Sequence, residues 1–471
     1  MRTGSYFENS EGTQQEQTAA MRNSINRRLV WLFVLAIVFQ ALVLFVALPM
    51  AGHRLSPSYN QDRFADGYDL LAENLAAGNG YRFYPDTAKT MMREPGYPFI
   101  LAGLMLLFGN SLVAVKISNM IFAVLTAWLT LGIARQLAPE AWSCNSILFL
   151  GPPLLFLFNP GTLIAESRGG VEMVFSLLLA IFLLTIYRAI RSNRALDYAI
   201  SGLVLGLTTL VRSTPLLFPF FLLLFLLYSE KARVGFFAIT RNFLVMVLSA
   251  VVVLSPWIIR NYSLTGKFVP TASVMGVSAQ AGQYINEHLF DGAPWWLLDR
   301  EASRERDKVA ETLGLPFEDG PGGYYQTFYK STDEIVFSKY LMGEVVKNYK
   351  RSPALLVRCL GQNVFNFWIA GKTWTATALN AILQLPYLIL AVIGAISCFR
   401  NMQARAVGLL LVFIGYYVAV HVAILAQARY SIPLLPFVSI LSTLGILAIQ
   451  RKASALKNES EPVAVGTLAR N

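Results

Sequence analysis

The stretch Asn60 to Pro98, NQDRFADGYDLLAENLAAGNGYRFYPDTAKTMMREPGYP, decides how the rest of the chain is read. At 100° per residue, Asp62, Asp66, Asp69 and Glu73 fall at i, i+4, i+7 and i+11, and Phe64, Tyr68, Leu71 and Leu75 repeat that spacing on the opposite side. The pattern predicts one amphipathic helix that starts at an Asn60 cap and stops at Gly78-Asn79-Gly80. In a chain this apolar, such a helix lies flat on a membrane surface, with its carboxylates toward water or toward the protein's own cavity. The bland reading of the four carboxylates is a solvated face, and their setting decides between the two.

Composition supplies that setting. Of 471 residues, 55% are hydrophobic and 14% charged, and the mean hydropathy is +0.50. These values exclude a soluble chain. A net charge of +11 and a pI near 9.5 would suggest nucleic acid in a soluble protein. Here Lys and Arg gather at the ends of apolar runs, where they set topology and meet lipid phosphates, so no nucleic-acid partner is expected. Cys144, Cys359 and Cys398 lie far apart and form neither a CxxC pair nor a zinc-ligand spacing. His53, His288 and His421 form no HExxH motif. No metal site and no cofactor are expected.

Residues 1–28 are polar, with Arg22, Arg27 and Arg28 just before the first apolar run, which places the N-terminus in the cytoplasm. The run Leu29 to Leu48 has about the 20 residues needed to cross a bilayer and reads as a retained anchor. Further runs cover 97–109, 112–134, 141–159, 172–188, 196–212, 214–229, 238–257, 378–398, 406–425 and 431–449. The run 97–109 falls short of the roughly 17-residue minimum for a span and reads as re-entrant or interfacial. With it left out, Arg135, the Arg188, Arg191 and Arg194 cluster, Lys231 with Arg233, Arg400 with Arg405, and Arg451 with Lys452 all fall on the cytoplasmic side. The expected fold is an all-α polytopic membrane protein of about ten spans with both termini inside. Its competitor is eleven spans with an inverted middle.

This topology divides the chain into a tail at 1–28 and a transmembrane catalytic core at 29–257 that includes a first extracytoplasmic loop, 49–111. An extracytoplasmic region of helices and loops at 258–377, C-terminal spans at 378–450 and a tail at 451–471 follow. Within 258–377 the pattern predicts an amphipathic helix over Asp299 to Leu313, a loop over Pro316 to Gly323 and further helix from Thr332 to Trp368, with no period-2 strands. The outer face collects 49–111, Asn159 to Gly170, Arg212 to Thr214, 258–377 and Gln427 to Tyr430.

Several charges stand at the outer ends of spans: Glu172 opening one, Arg212 closing another, Arg260 in PWIIRNY and Arg429 in ARY. Singly, each arginine reads as a side chain snorkelling to headgroup phosphates. Together they outline an outward-facing pocket with a carboxylate on a surface helix and guanidiniums at the water interface. Guanidinium is a planar, permanently charged donor suited to phosphate oxygens. A nearby carboxylate can take a proton from an acceptor hydroxyl while arginines stabilise charge on a departing phosphate. Those are the two needs of sugar transfer from a lipid phosphate.

The motifs, in order, are Asp66-Gly67-Tyr68 to Asn74-Leu75 with Gly78-Asn79-Gly80-Tyr81, Arg93-Glu94-Pro95-Gly96-Tyr97-Pro98 and Leu107-Phe108-Gly109. They continue with Val171-Glu172-Met173-Val174-Phe175, Gly206 to Arg212, Pro256 to Tyr262 with Gly266, and Ala428-Arg429-Tyr430 to Pro433. Over about residues 30–450 the chain resembles the bacterial membrane glycosyltransferases of the GT-C fold, family 39 type, related to protein O-mannosyltransferases and lipid A aminoarabinose transferase. The resemblance implies a polyprenyl-phosphate sugar donor, a lipid, glycan or protein acceptor, no nucleotide, and an active site outside the plasma (inner) membrane. It also implies direct displacement at the anomeric carbon with inversion. Carried over by motif, Asp66 is the essential carboxylate that acts as base, with Asp62 as a rival register. Arg93, Glu94, Glu172, Arg212, Arg260 and Arg429 are the candidate residues for binding the donor phosphate or the acceptor, the arginines as phosphate contacts.

A lipid-linked sugar flippase is the alternative from another class; it predicts charges near the bilayer midplane and an internal repeat, neither of which stands out. A lipid-binding subunit without activity is a third reading. The Gly202 and Gly206 spacing reads as close helix packing, and Pro215 and Pro219 as a kink beside Arg212. Trp295-Trp296 reads as a membrane anchor, with sugar stacking as its alternative.

Overall fold

A computed structural model describes residues 27, 30–31, 33–50, 66–137, 146–289, 291–323, 325–400 and 404–460. The chain is helical nearly throughout. A first helix, α1 (Phe33–Met50), is followed by α2 (Tyr68–Ala76), α3 (Gly96–Phe108), α4 (Leu112–Leu137), α5 (Ser146–Leu157), α6 (Pro160–Ser167), α7 (Glu172–Ser192) and α8 (Ala195–Val211). Next come α9 (Phe218–Ser229), α10 (Phe236–Thr265), α11 (Met275–His288), α12 (Trp295–Thr312), a two-stranded hairpin of β1 (Phe317–Asp319) and β2 (Gln326–Phe328), and α13 (Ser331–Arg351). The chain closes with α14 (Pro353–Ile369), α15 (Trp374–Arg400), α16 (Ala404–Ile424), a 3-10 turn at Ala428–Leu434 and α17 (Leu435–Ser460).

Among the described residues, seven helices are long and apolar enough to cross a membrane. Two of the expected ten spans, Ala195–Val211 and Thr214–Ser229, are shorter apolar helices. A third, 141–159, is represented by α5, in which Pro152 and Pro153 lie inside the helix, and it adjoins residues outside the description. Helix α3 has 13 residues, about 20 Å at 1.5 Å per residue, short of a hydrocarbon core of about 30 Å. Its first half is buried at Tyr97, Pro98, Leu101 and Ala102, while Leu106, Leu107 and Phe108 are exposed at its end.

The core runs along α7, whose Phe175, Leu179, Phe182, Leu183 and Ile186 are fully buried. Edge-to-face contacts join Phe182 to Phe218 at 5.8 Å and Phe218 to Phe413 at 5.1 Å, tying α7, α9 and α16 together. Helices α8 and α10 meet backbone to backbone: a Cβ on Gly202 would stand 2.0 Å from the Met246 carbonyl oxygen, and one on Gly206 2.8 Å from that of Ala250. This is close packing of small residues.

The two ends of the bundle hold different polar contacts. At one end Arg233 Nη2 donates to the Ile190 carbonyl at 2.8 Å, Arg188 pairs with Asp197 at 3.2 Å, and Asn242 Nδ2 donates to Asn193 Oδ1 at 2.8 Å. Glu172 opens α7 at the opposite end, 21 residues away in one helix, about 30 Å. That end gathers segments from the five regions expected to share a face.

Four expectations change. The helix over the decisive stretch starts at Tyr68, and Asp66 lies in the turn before it, because Gly67 takes a left-handed conformation (φ 72°) that ends the helix there; residues 51–65, including Asn60 and Asp62, lie outside the described residues. The helix from Thr332 to Trp368 is two helices, α13 and α14, split at Ser352 because Pro353 cannot donate into a continuing helix. The loop over Pro316 to Gly323 contains β1, paired antiparallel with β2 through Phe317–Phe328, Glu318–Thr327 and Asp319–Gln326. Strands of three residues are too short to show an alternating pattern, and tertiary burial of Phe328 against Phe337 at 5.2 Å holds them. Helix α10 also runs past the division at 257 to Thr265.

Candidate active site

The site forms around Asp66. A Cβ on Gly67 would stand 2.3 Å from Pro321 Cγ and 2.8 Å from Phe83, so only glycine allows both the left-handed turn and the close approach of the loop before β2. That turn aims the Asp66 carboxylate inward at two guanidiniums. Arg429 Nη1 donates to Oδ2 at 2.7 Å and its Nη2 to Oδ1 at 3.2 Å. Arg93 Nη2 donates to Oδ1 at 3.2 Å and its Nε to the Asp66 carbonyl at 3.2 Å. Tyr325 OH donates to Oδ1 at 3.4 Å. Burial alone would raise this carboxyl, but Arg429 and Arg93 together hold it well below the usual carboxylate range.

Each arginine is positioned by its own element. Arg93 ends a loop whose shape is set by Tyr81 OH, which donates to the carbonyls of Arg93 at 3.0 Å and Glu94 at 2.9 Å. Glu334 on α13 fixes the same loop by accepting from the Met91 amide at 2.8 Å and from Ser273 Oγ at 3.1 Å. The Arg93 guanidinium lies 4.4 Å above the Tyr325 ring. Arg429 sits in the 3-10 turn that starts at Ala428, whose amide donates to the Ala370 carbonyl at 3.0 Å. Arg212 follows α8 and packs 4.6 Å over the Tyr430 ring. Among the described residues its guanidinium makes ring contacts and no hydrogen bond. Glu172 folds back so tightly that a Cβ on Gly170 would stand 2.1 Å from its Oε2, and it faces Arg212 and Arg429 electrostatically.

A pocket of about 230 Å³ opens beside this cluster. Asp66, Glu172, Arg429, Trp296, Asp299 and Tyr325 all line it. Arg168, Lys372, Asn380, Gln384 and Gln427 add to its polar surface. Burial pushes the Asp299 carboxyl up, against the opposing pull of Arg306, Arg429 and Lys372.

The structure brings Asp66, Arg93, Arg429, Arg212 and Glu172 together. Of these, Asp66, Glu172 and Arg429 line the pocket; Arg93 and Arg212 stand behind it, and Glu94 and Arg260 lie off the lining as well. Glu94 Oε1 accepts from the Ser213 amide at 2.9 Å and from the Ser213 hydroxyl, joining the Arg93 loop to the turn after Arg212. Arg260 Nη1 donates to the Thr90 carbonyl at 2.9 Å, and the guanidinium stacks 4.4 Å over Trp257. Both brace the loop that presents Arg93. Asp62 lies outside the described residues. Asp299, Tyr325, Arg168 and Lys372 escaped sequence reasoning; the one available signal was Trp295, Trp296 and Asp299 at helical spacing, which puts both indoles near the carboxylate. No group of three His, Cys, Asp or Glu that could hold a metal ion occurs among the described residues.

Residues 92–259 match a family model described as dolichyl-phosphate-mannose-protein mannosyltransferase. No curated protein matches the chain. Among solved structures, the chain is similar to the archaeal oligosaccharyltransferase AglB from Archaeoglobus fulgidus in complex with an inhibitory peptide and a dolichol-phosphate. The TM-score is 0.54 at 13% identity, covering 94% of this chain and 52% of that one. The apo form of the Archaeoglobus fulgidus oligosaccharyltransferase gives 0.53 at 14% identity, covering 91% and 52%. The chain therefore spans about half the length of these proteins. ArnT from Cupriavidus metallidurans bound to undecaprenyl phosphate gives 0.40 at 13% identity, covering 91% and 79%. At these identities the oligosaccharyltransferase likeness establishes the fold, which is GT-C.

Proposed function

We propose that this chain is a membrane glycosyltransferase that moves a sugar from a polyprenyl-phosphate donor to an acceptor hydroxyl at the Asp66 pocket. The observation that carries the reading is the buried carboxylate held by Arg429 and Arg93 beside the hydrogen-bond-free guanidinium of Arg212. A phosphate carries the oxygen geometry that guanidinium binds in pairs, and it competes with Asp66 for the same N–H groups. A donor phosphate that draws Arg429 away removes the charge holding the Asp66 carboxyl low. The carboxylate becomes a stronger base as the donor arrives.

The acceptor O–H proton then passes to Asp66 while the acceptor oxygen bonds the anomeric carbon. The bond from that carbon to the phosphate oxygen breaks and its electron pair leaves with the phosphate. The arginines stabilise the dianion that forms, a term concentrated in the transition state. Attack opposite the leaving group inverts the anomeric centre. The basic loops at the far end of the bundle support an extracytoplasmic pocket in a plasma membrane, since positive loops stay inside.

The test is consumption of radiolabelled polyprenyl-phosphate sugars by purified protein in detergent, with an acceptor pool. Wild type releases or transfers the sugar and Arg429→Gln does not. Wild-type protein that binds the donor and never cleaves it, whatever acceptor is present, would overturn the enzyme reading in favour of a carrier.

A further inference from the structure

The first turns of α12 hold polar groups that the displacement chemistry leaves unused. Asp299 lines the pocket, and no hydrogen bond or ion pair engages its carboxylate among the described residues. Two turns further along the same helix face, Arg306 directs Nη1 to Gln280 Oε1 at 2.8 Å. Trp295, four residues earlier, also lines the pocket, and its indole Nε1 is buried without an acceptor. Buried donors are normally matched, so the orphaned Trp295 donor beside a half-buried carboxylate that the protein leaves unengaged describes a ligand that both accepts and donates. A sugar hydroxyl does both. Trp296 adds an aromatic surface on the same pocket wall and is 39% exposed.

The frame is fixed. The Trp296 amide donates to the Lys372 carbonyl at 3.3 Å, Trp374 Nε1 donates to the Gly292 carbonyl at 3.4 Å, and Trp295 packs against Ile285, Leu298 and Ala370. Indoles inside a pocket wall, braced by backbone on both sides, are poorly placed to anchor in lipid headgroups, which is the role first expected of them.

We infer that the first turns of α12 form the subsite for the sugar ring of the donor, with Trp296 stacking on its C–H face, Asp299 accepting from its hydroxyls and Trp295 Nε1 donating to one. This rests on the lipid-phosphate donor reading. The ring belongs to the donor because Asp299 and Arg429 line one pocket and a glycosyl unit is a single bond from its phosphate. A carboxylate accepts from two adjacent hydroxyls at once, so this subsite selects sugars with a free vicinal diol.

Binding of bare undecaprenyl phosphate is compared with that of undecaprenyl phosphate carrying mannose, glucose or galactose, using wild type, Asp299→Asn, Trp296→Ala and Trp296→Phe in detergent. The expected result is a sugar-dependent gain for wild type that Asp299→Asn and Trp296→Ala reduce at least about tenfold and Trp296→Phe largely keeps. Affinity for the bare lipid stays within about twofold in all variants, which also reports that they are folded. Equal loss for bare and sugar-bearing lipid, or no loss for either, overturns the subsite. Wild type that binds the bare lipid and gains nothing from any of the sugars overturns it too, while the phosphate reading stands. Wild type that binds neither overturns the donor reading and the subsite with it.

Discussion

Asp66 engages both of its oxygens with arginines, and that fixes what its replacement does. Asn keeps the shape but leaves Arg429 and Arg93 without a countercharge in a buried setting, where breaking a pair from one side costs about 3–5 kcal/mol. We expect Asp66→Asn to lower sugar transfer by about 10²–10⁴-fold and to lower the melting temperature in detergent. Full turnover by that variant would remove Asp66 from the chemistry and point to Asp62. The pH dependence follows from the same pair. The folded pKa is depressed, so the stabilisation from this carboxylate is complete above the ordinary aspartate value near 3.9 and fades as pH falls through the lower folded value. The stability difference between wild type and Asp66→Asn should be flat from about pH 5 to 8 and shrink below about pH 4; a difference that already falls between pH 7 and 5 would contradict the clamp. At this scale the motif resemblance named Asp66, Arg93 and Arg429, and geometry joins them. It missed Asp299 and Tyr325, because a carboxylate on a charged amphipathic helix and a phenol beside a glycine-rich loop look like surface until a pocket forms over them.

At the scale of elements, the turn before α2 matters more than the helix. The i, i+4 spacing of Asp62, Asp66, Asp69 and Glu73 suggested one acidic face, yet only Asp69 and Glu73 lie on the described helix. Gly67 separates Asp66 from it. Gly67→Ala combines a positive φ with a Cβ that meets Pro321 and Phe83, so we expect a loss well above the roughly 1 kcal/mol of an ordinary Gly-to-Ala strain, with activity falling further because Asp66 turns away from Arg429. Thermal unfolding and turnover measured together check this; an unchanged melting temperature would mean the loop before β2 yields freely. The hairpin that supplies Pro321 was invisible to pattern reading because its strands are three residues long, too short to show an alternating pattern. The pair α8 and α10 is the opposite case: Gly202 and Gly206 announced a close approach four residues apart, and backbone oxygens fill the space.

At the scale of the whole molecule, α7 spans the distance between the end that holds Arg188 and Arg233 and the pocket end, and the positive-inside rule predicts which of the two faces the cytoplasm. We expect a single cysteine at Glu311, exposed in the last turn of α12, to react with an impermeant thiol reagent in intact cells, and one at exposed Arg191 to react only after permeabilisation. The reverse pattern would put the pocket in the cytoplasm. Both cysteines are introduced on a background without Cys144, Cys359 and Cys398, of which Cys359 and Cys398 are buried.

By itself the sequence determined the membrane class, the helical fold, and which loops share an end of the bundle. Run length, hydropathy and charge bias are properties of neighbouring residues, and each survives without knowledge of what packs against what. Only the tertiary structure decided the partners of Asp66, which come from 27 and 363 residues away, and the pocket wall that α12 supplies. Those pairings depend on where the turn before α17 docks against the turn before α2, and periodicity carries no information across that distance.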